Sequence, residues 1–191
     1  MDHANATITR RTARWAAALA AGGTVLSALL AGGSVASAAE PTGNGPDEGV
    51  GRCHTSELAG SLNWQDSAAG SNYALVNLTN NSDHTCYVFG TPNVEYVTGD
   101  DGARVGAPAD RIGESWQKVW LEPGRTSSAQ LRATNVDAYD PADCNAVETR
   151  GFRVQPYGEP TALFIPEPGK GCTVETGPAA GQLQIKAFGE S

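Results

Sequence analysis

The sequence predicts an all-β fold: an antiparallel two-sheet β-sandwich, immunoglobulin-like in general shape and stapled by two disulfides. Three observations carry that expectation. Apolar residues recur with a period of two, as in Ala74, Val76 and Leu78, which suits half-buried strands and not helices. Turn-forming residues punctuate the chain, with 23 Gly and 11 Pro among 191 residues, and leave little room for long helices. Four cysteines, Cys53, Cys86, Cys144 and Cys172, are spread through the region that carries the strands.

The chain opens with an export signal. Arg10, Arg11 and Arg14 form a basic head, Trp15 to Val35 is uncharged, and Ala36, Ser37 and Ala38 supply a small-x-small cleavage pattern. Residues 1–38 are therefore expected to be a signal peptide, removed after Ala38. The glycines and serines from Gly22 to Ser34 make the stretch too weakly apolar for a retained anchor, so no membrane span is expected in the mature chain. Thr9, Arg10, Arg11 and Thr12 admit a twin-arginine leader beside the ordinary one. Residues 39–51, rich in Gly, Pro and acidic side chains, cannot bury apolar surface and read as a flexible linker to a single domain over 52–189.

Within that domain, strands are expected around Tyr73–Thr79, Cys86–Phe89, Val94–Thr98, Gln117–Leu121, Ser128–Asn135, Phe152–Gln155, Ala162–Ile165 and Leu183–Phe188. Asn80 to Asp83 mark a turn, Gly99 to Gly102 a tight hairpin, and Pro123 with Gly124 another turn. One short helix is expected, with Asp140 as N-cap and Pro141 at the first helical position. An eight-stranded barrel is the alternative way to close such a set of strands.

An even cysteine count in an exported chain reads as a disulfide framework. Three pairings are formally open. Local geometry favours Cys53 with Cys86 and Cys144 with Cys172, because each pair brackets a segment that folds back on itself. Loops on the order of 30 residues correspond to roughly 3.5 to 4 kcal/mol per bridge in the chain-entropy model. No C-x-x-C spacing is present, which argues against zinc, and His54 and His84 read as surface residues. The whole chain carries a net charge of −8, and loss of the arginine-bearing leader makes it more negative. Nucleic acid is therefore not an expected partner.

A family resemblance rests on Cys53 and Leu58, then Asn80, Ser82, Cys86, Val88, Gly90, Pro92 and Val94, Asp101 with Gly102, Leu121 with Pro123 and Gly124, Cys144, Cys172, and a closing Leu183 and Ile185. This pattern, spread over residues 52–188, resembles the domain-of-unknown-function 4232 family of exported actinobacterial proteins. Its most specific part runs from Asn80 to Pro92, where a polar turn, a strand cysteine and a Gly-x-Pro corner coincide. Thr91 stands where the pattern has an aromatic residue, and Ala133 where it has Trp. The resemblance implies export, two disulfides and a β-sandwich, and it brings no functional residues.

No catalytic constellation is recognisable, so neither an enzyme nor a cofactor is expected. Gly113 to Gln117 begins like a nucleophile elbow around Ser115, but Gln117 replaces the second Gly and no helix follows, which disfavours a secreted hydrolase. Asp137, Asp140 and Asp143 lack the alternation and distal Glu of a calcium loop. Binding is the better expectation. If the segment is extended, Trp116, Lys118 and Trp120 share one face, and indoles beside a cation can stack on a sugar ring or grip a protein. An alternative is a protease-inhibitor-like loop, Pro166 to Gly171, presenting Lys170. The expected setting is extracellular, and the expected partner an extracellular protein or a cell-envelope glycan.

Overall fold

The computed structural model describes residues 49–113 and 115–189. The expected signal peptide, residues 1–38, and most of the expected linker, residues 39–51, lie outside the described residues. The strands run in the order β1 (Leu58–Ala68), β2 (Ser71–Asn80), β3 (Cys86–Val88), β4 (Asn93–Thr98), β5 (Ala103–Val105), β6 (Asp110–Arg111), β7 (Val119–Leu121), β8 (Thr126–Thr134), β9 (Ala146–Gln155), β10 (Leu163–Cys172) and β11 (Leu183–Ile185), with one helical turn, α1 (Pro141–Cys144), between β8 and β9.

A five-stranded sheet has the order β1-β2-β8-β11-β6, a four-stranded sheet the order β10-β9-β4-β5, and β3 pairs with β7 in a small third sheet. The pairings are antiparallel except that of β11 with β6, which is parallel and so departs from the purely antiparallel arrangement expected. The period of two is visible in the burial of β2, where Ala74, Val76 and Leu78 are buried and Tyr73, Leu75, Asn77 and Thr79 are only partly so. Ser127, Ala129, Leu131 and Ala133 repeat the pattern on β8. One apolar core takes Val76, Leu78, Leu131 and Ile185 from the five-stranded sheet and Val94, Phe152, Val154 and Ile165 from the four-stranded one.

Strand β1 has no counterpart in the sequence expectations. Its inward positions are Leu58, Gly60, Leu62 and Trp64, a sparse period-two signal interrupted by a glycine and followed by polar residues. Packing requires that glycine. A Cβ built at Gly60 would lie 3.0 Å from Ile165 Cγ1 on β10, where the edges of the two large sheets come together. Trp64 Nε1 donates to Glu167 Oε1 at 3.0 Å and links the same two edge strands.

The structure corrects the expected loop from Pro166 to Gly171. These residues belong to β10, paired with β9 from Leu163↔Val154 to Cys172↔Ala146, with a register shift between Pro166 and Gly169. Prolines are tolerated there because β10 is an edge strand and the irregularity removes the need for their N–H groups. The pairing of Gly169 to Cys172 with β9 then holds Lys170 in a ladder.

Disulfides join Cys53 to Cys86 and Cys144 to Cys172, at sequence separations of 33 and 28. Helix α1 has Pro141 in its first turn and delivers the buried Cys144 to its partner, although the Asp140 side chain makes no capping hydrogen bond.

Asn80 ends β2 in full burial, and its amide is completely used. Nδ2 donates to the carbonyls of His84 at 2.7 Å and Leu121 at 2.9 Å, while Oδ1 accepts from Ser82 N at 2.9 Å and Ser82 Oγ at 2.7 Å. Its backbone N–H donates to Arg125 O and its carbonyl accepts from Gly124 N in the Pro123-Gly124 turn.

Two stability predictions follow from these contacts. Gly60→Val should cost roughly 1 to 3 kcal/mol by overpacking against Ile165, read as a lower urea midpoint with an unchanged slope; an unchanged midpoint would contradict the close approach. Asn80→Ala removes the donor to the buried Leu121 carbonyl and the acceptor of the Ser82 N–H, while the Ser82 hydroxyl keeps the His84 carbonyl at 3.0 Å as partner, and about 1 to 3 kcal/mol of stability should be lost in the same measurement.

Candidate functional site

The two-stranded sheet is built from alternation. Cys86, Val88 and Leu121 are buried, so Tyr87 and Trp120 between and beside them turn to the opposite face, where they stand directly across from each other in register. Their ring centroids are 5.1 Å apart, edge to face. Phe89 continues the outward series, 5.9 Å from Tyr87. Beyond it, Phe89 meets Tyr157 at 5.1 Å and Trp116 at 6.4 Å, and Trp116 meets Tyr157 edge to face at 5.1 Å. The result is one ladder of five rings from Trp120 to Trp116.

Tyr157 comes from the turn after β9. That turn is fixed by Glu159 N donating to Pro156 O at 3.1 Å and by Gln155 Nε2 donating to Glu159 O at 2.7 Å. The Glu159 carboxylate is itself buried and accepts from Thr55 N at 3.2 Å, which ties the turn to the start of the domain.

Cations flank the ladder at both ends. Lys118 Nζ lies 4.5 Å from the Tyr87 ring centroid and 5.2 Å from that of Trp120, so one ammonium is shared by two π faces. Arg111 Cζ lies 6.0 Å from the Tyr157 ring centroid. Arg111, Trp116, Tyr157, Thr91 and Ser115 line a cleft of about 100 Å³ beside the exposed indole. Trp116 is 58% exposed, the most exposed of the large apolar side chains among the described residues, whereas the other four rings are half-buried.

Trp116, Lys118 and Trp120 thus belong to one surface, but not as a single strand. Strand β7 begins only at Val119, and Trp116 reaches Trp120 through Phe89 and Tyr87 and not directly. Lys170 lies elsewhere, across from Glu148 in the β9–β10 ladder and 3.9 Å from its carboxylate. It lines a separate groove of about 290 Å³ with Trp64 and Tyr96. A wider cavity of about 320 Å³ lies beside Phe164, where Arg150 is paired with Asp100, and Arg153 with Glu95.

Ser115 lies in irregular chain before β7, and its Oγ is 3.4 Å from the Gln117 N–H. His54 faces Glu159 at 3.4 Å, and His84 faces Glu57 and Asp83, each at 3.2 Å. All four cysteines are disulfide-bonded, and no group of three or more His, Cys, Asp or Glu among the described residues is arranged to hold a metal ion. No helix among the described residues is long and apolar enough to cross a membrane.

The fold and surface define a disulfide-stapled all-β domain carrying an aromatic ladder flanked by cations. Residues 53–189 match the family model described as Domain of unknown function (DUF4232), and the chain belongs to that family. Comparison with curated proteins finds no match.

One titration is set by the fold. Burial pushes the Tyr96 phenol up to about 12, with the nearby Tyr139 adding to the effect. The folded state therefore favours the neutral phenol, and this contribution is complete below pH 10 and lost as pH rises from 10 toward 12. Urea unfolding across that range should show stability falling with pH, and Tyr96→Phe should flatten the fall; an identical pH slope in the variant would refute the assignment.

Proposed function

We propose that this protein is an exported, non-catalytic binding module, immunoglobulin-like in shape, that holds a cell-envelope glycan on the Trp116 surface. The secreted setting, the cleaved signal peptide and an actinobacterial source belong to this proposal and follow from the leader and from the family resemblance.

One observation carries the proposal: an indole that is 58% exposed yet held edge-on by Tyr157 and backed by Phe89. Exposed Trp is ordinarily costly surface, and a rigid one offers a flat apolar platform without an ordering penalty on binding. A single exposed indole matches the face of one sugar ring, and that match is why a glycan is chosen over a protein partner.

The protease-inhibitor alternative loses its loop, because Lys170 sits within a paired strand. Catalysis finds no support in Ser115, whose hydroxyl engages only its own backbone neighbour in the hydrogen bonds seen.

Titration of the oxidised domain with soluble cell-wall oligosaccharides should give a saturable change in tryptophan fluorescence. Trp116→Ala should abolish binding while leaving the unfolding free energy from urea titration within about 0.5 kcal/mol of the parent, as expected of an exposed position. Silence across a broad glycan panel would remove the proposal.

A further inference from the structure

Cations gather at the ladder of an acidic chain, which has 21 Asp and Glu against 13 Lys and Arg. Among the described residues, Arg104, Arg150, Arg153 and Lys170 form ion pairs with Glu95, Glu175, Asp100 and Glu148. The other cations are outside those pairs: Arg52, Arg125, Arg132 and Lys186 and, at the ladder, Arg111 and Lys118. The last two lie over aromatic rings of the ladder, and Arg52 packs its guanidinium against Gly158, next to Tyr157.

The lining of the cleft beside Arg111 decides the geometry. Arg111, Thr91 and Ser115 share it with Trp116 and Tyr157, and the indole of Trp116 is 58% exposed. A ring stacked on that indole has at its edge a cleft lined by hydroxyl and guanidinium groups, so a substituent on the ring can be directed toward Arg111 and the neighbouring Thr91 and Ser115.

From this we infer that the Trp116 surface selects a saccharide bearing an anionic group, with the ring on the indole and the anion in the cleft against Arg111; the inference rests on the glycan reading above. A guanidinium presents several donors in a planar fork suited to carboxylate and phosphate oxygens. Its hold over Tyr157 limits the freedom lost when it binds. The acidic charge of the whole domain opposes this only at a distance, because exposed charges are screened over about 8 Å at physiological ionic strength. At contact, the local cations decide. Lys118, at the other end of the ladder, offers a second cation to a longer charged chain.

The test compares three probes on the oxidised domain by two-dimensional NMR of the tryptophan indole N–H signals: a glucuronate-containing trisaccharide, its carboxyl-reduced counterpart, and that counterpart carrying a 6-phosphate. At least one anionic probe should bind about ten-fold or more tightly than the neutral one, the scale of a charge-assisted hydrogen bond, and the advantage should shrink in high salt. Which anionic probe gains it identifies carboxylate or phosphate as the source. Arg111→Gln should remove the preference, so that charged and neutral probes bind alike, whereas Trp116→Ala should remove binding of all three. Equal binding of all three probes, or a preference that survives Arg111→Gln, overturns this inference and leaves the glycan proposal standing. Inorganic phosphate binding as tightly as the phosphorylated sugar also overturns it. Failure of every sugar to move the indole signals overturns both.

Discussion

The buried amide of Asn80 is the interaction on which the rest of this surface depends. It closes β2, receives the Ser82 turn, and holds the carbonyls of His84 and Leu121, the residues that lead into β3 and end β7. Without these bonds the small sheet would have only three register pairs of its own, and an isolated two-stranded ribbon is marginal at best in water. The Cys53–Cys86 bridge anchors the same strand from its other side, and Cys53 N donates to Tyr87 O at 2.9 Å. A polar hub and a covalent link therefore converge on the strand that carries Tyr87 and leads into Phe89. Both are satisfied internally, so the ladder needs no ligand to hold its shape.

Much of the fold was legible because burial follows strand periodicity. Ala74, Val76 and Leu78 announce β2 with a pattern no helix would keep, and Leu183 with Ile185 do the same for β11. The two disulfides were legible for a different reason, since each closes a local excursion. Illegible were the segments whose strand character comes from a neighbour. Strand β1 is mostly polar beyond Leu62, and it is a strand because β2 offers it ten paired positions. The run from Pro166 to Gly171 has turn composition, yet the exposed edge of β9 captures it. Local propensity lost to tertiary pairing in both cases, as it does when an edge is available.

The candidate site divides along the same line. Trp116, Lys118 and Trp120 are close in sequence, and their shared face follows from extended geometry. Tyr87 and Phe89 were implicit too, since Cys86 and Val88 must point inward and leave their neighbours outside. Tyr157 and Arg111 carry no such mark. Arg111 lies in a two-residue strand paired to β11, and Tyr157 in a turn fixed by Gln155 and Glu159, so only the closed fold brings them beside Trp116. Net charge was equally uninformative here, because a sum over the chain does not show that Arg111 and Lys118 lie beside rings of the same ladder.

These features act together through rigidity. Binding a flexible chain such as a glycan already carries an ordering cost on the ligand side, and a mobile receptor would add its own. Here Trp116 is braced by two rings, Tyr157 by a hydrogen-bonded turn, and Phe89 by the strand that Cys86 and Asn80 immobilise. The side-chain entropy was lost on folding and is not lost again on contact. The domain thus keeps an exposed indole on irregular chain just before β7, braced from the side by Phe89 and Tyr157, whose own positions are set by β3 and by the turn after β9. On the glycan proposal, that bracing is what limits the ordering cost of contact on the protein side.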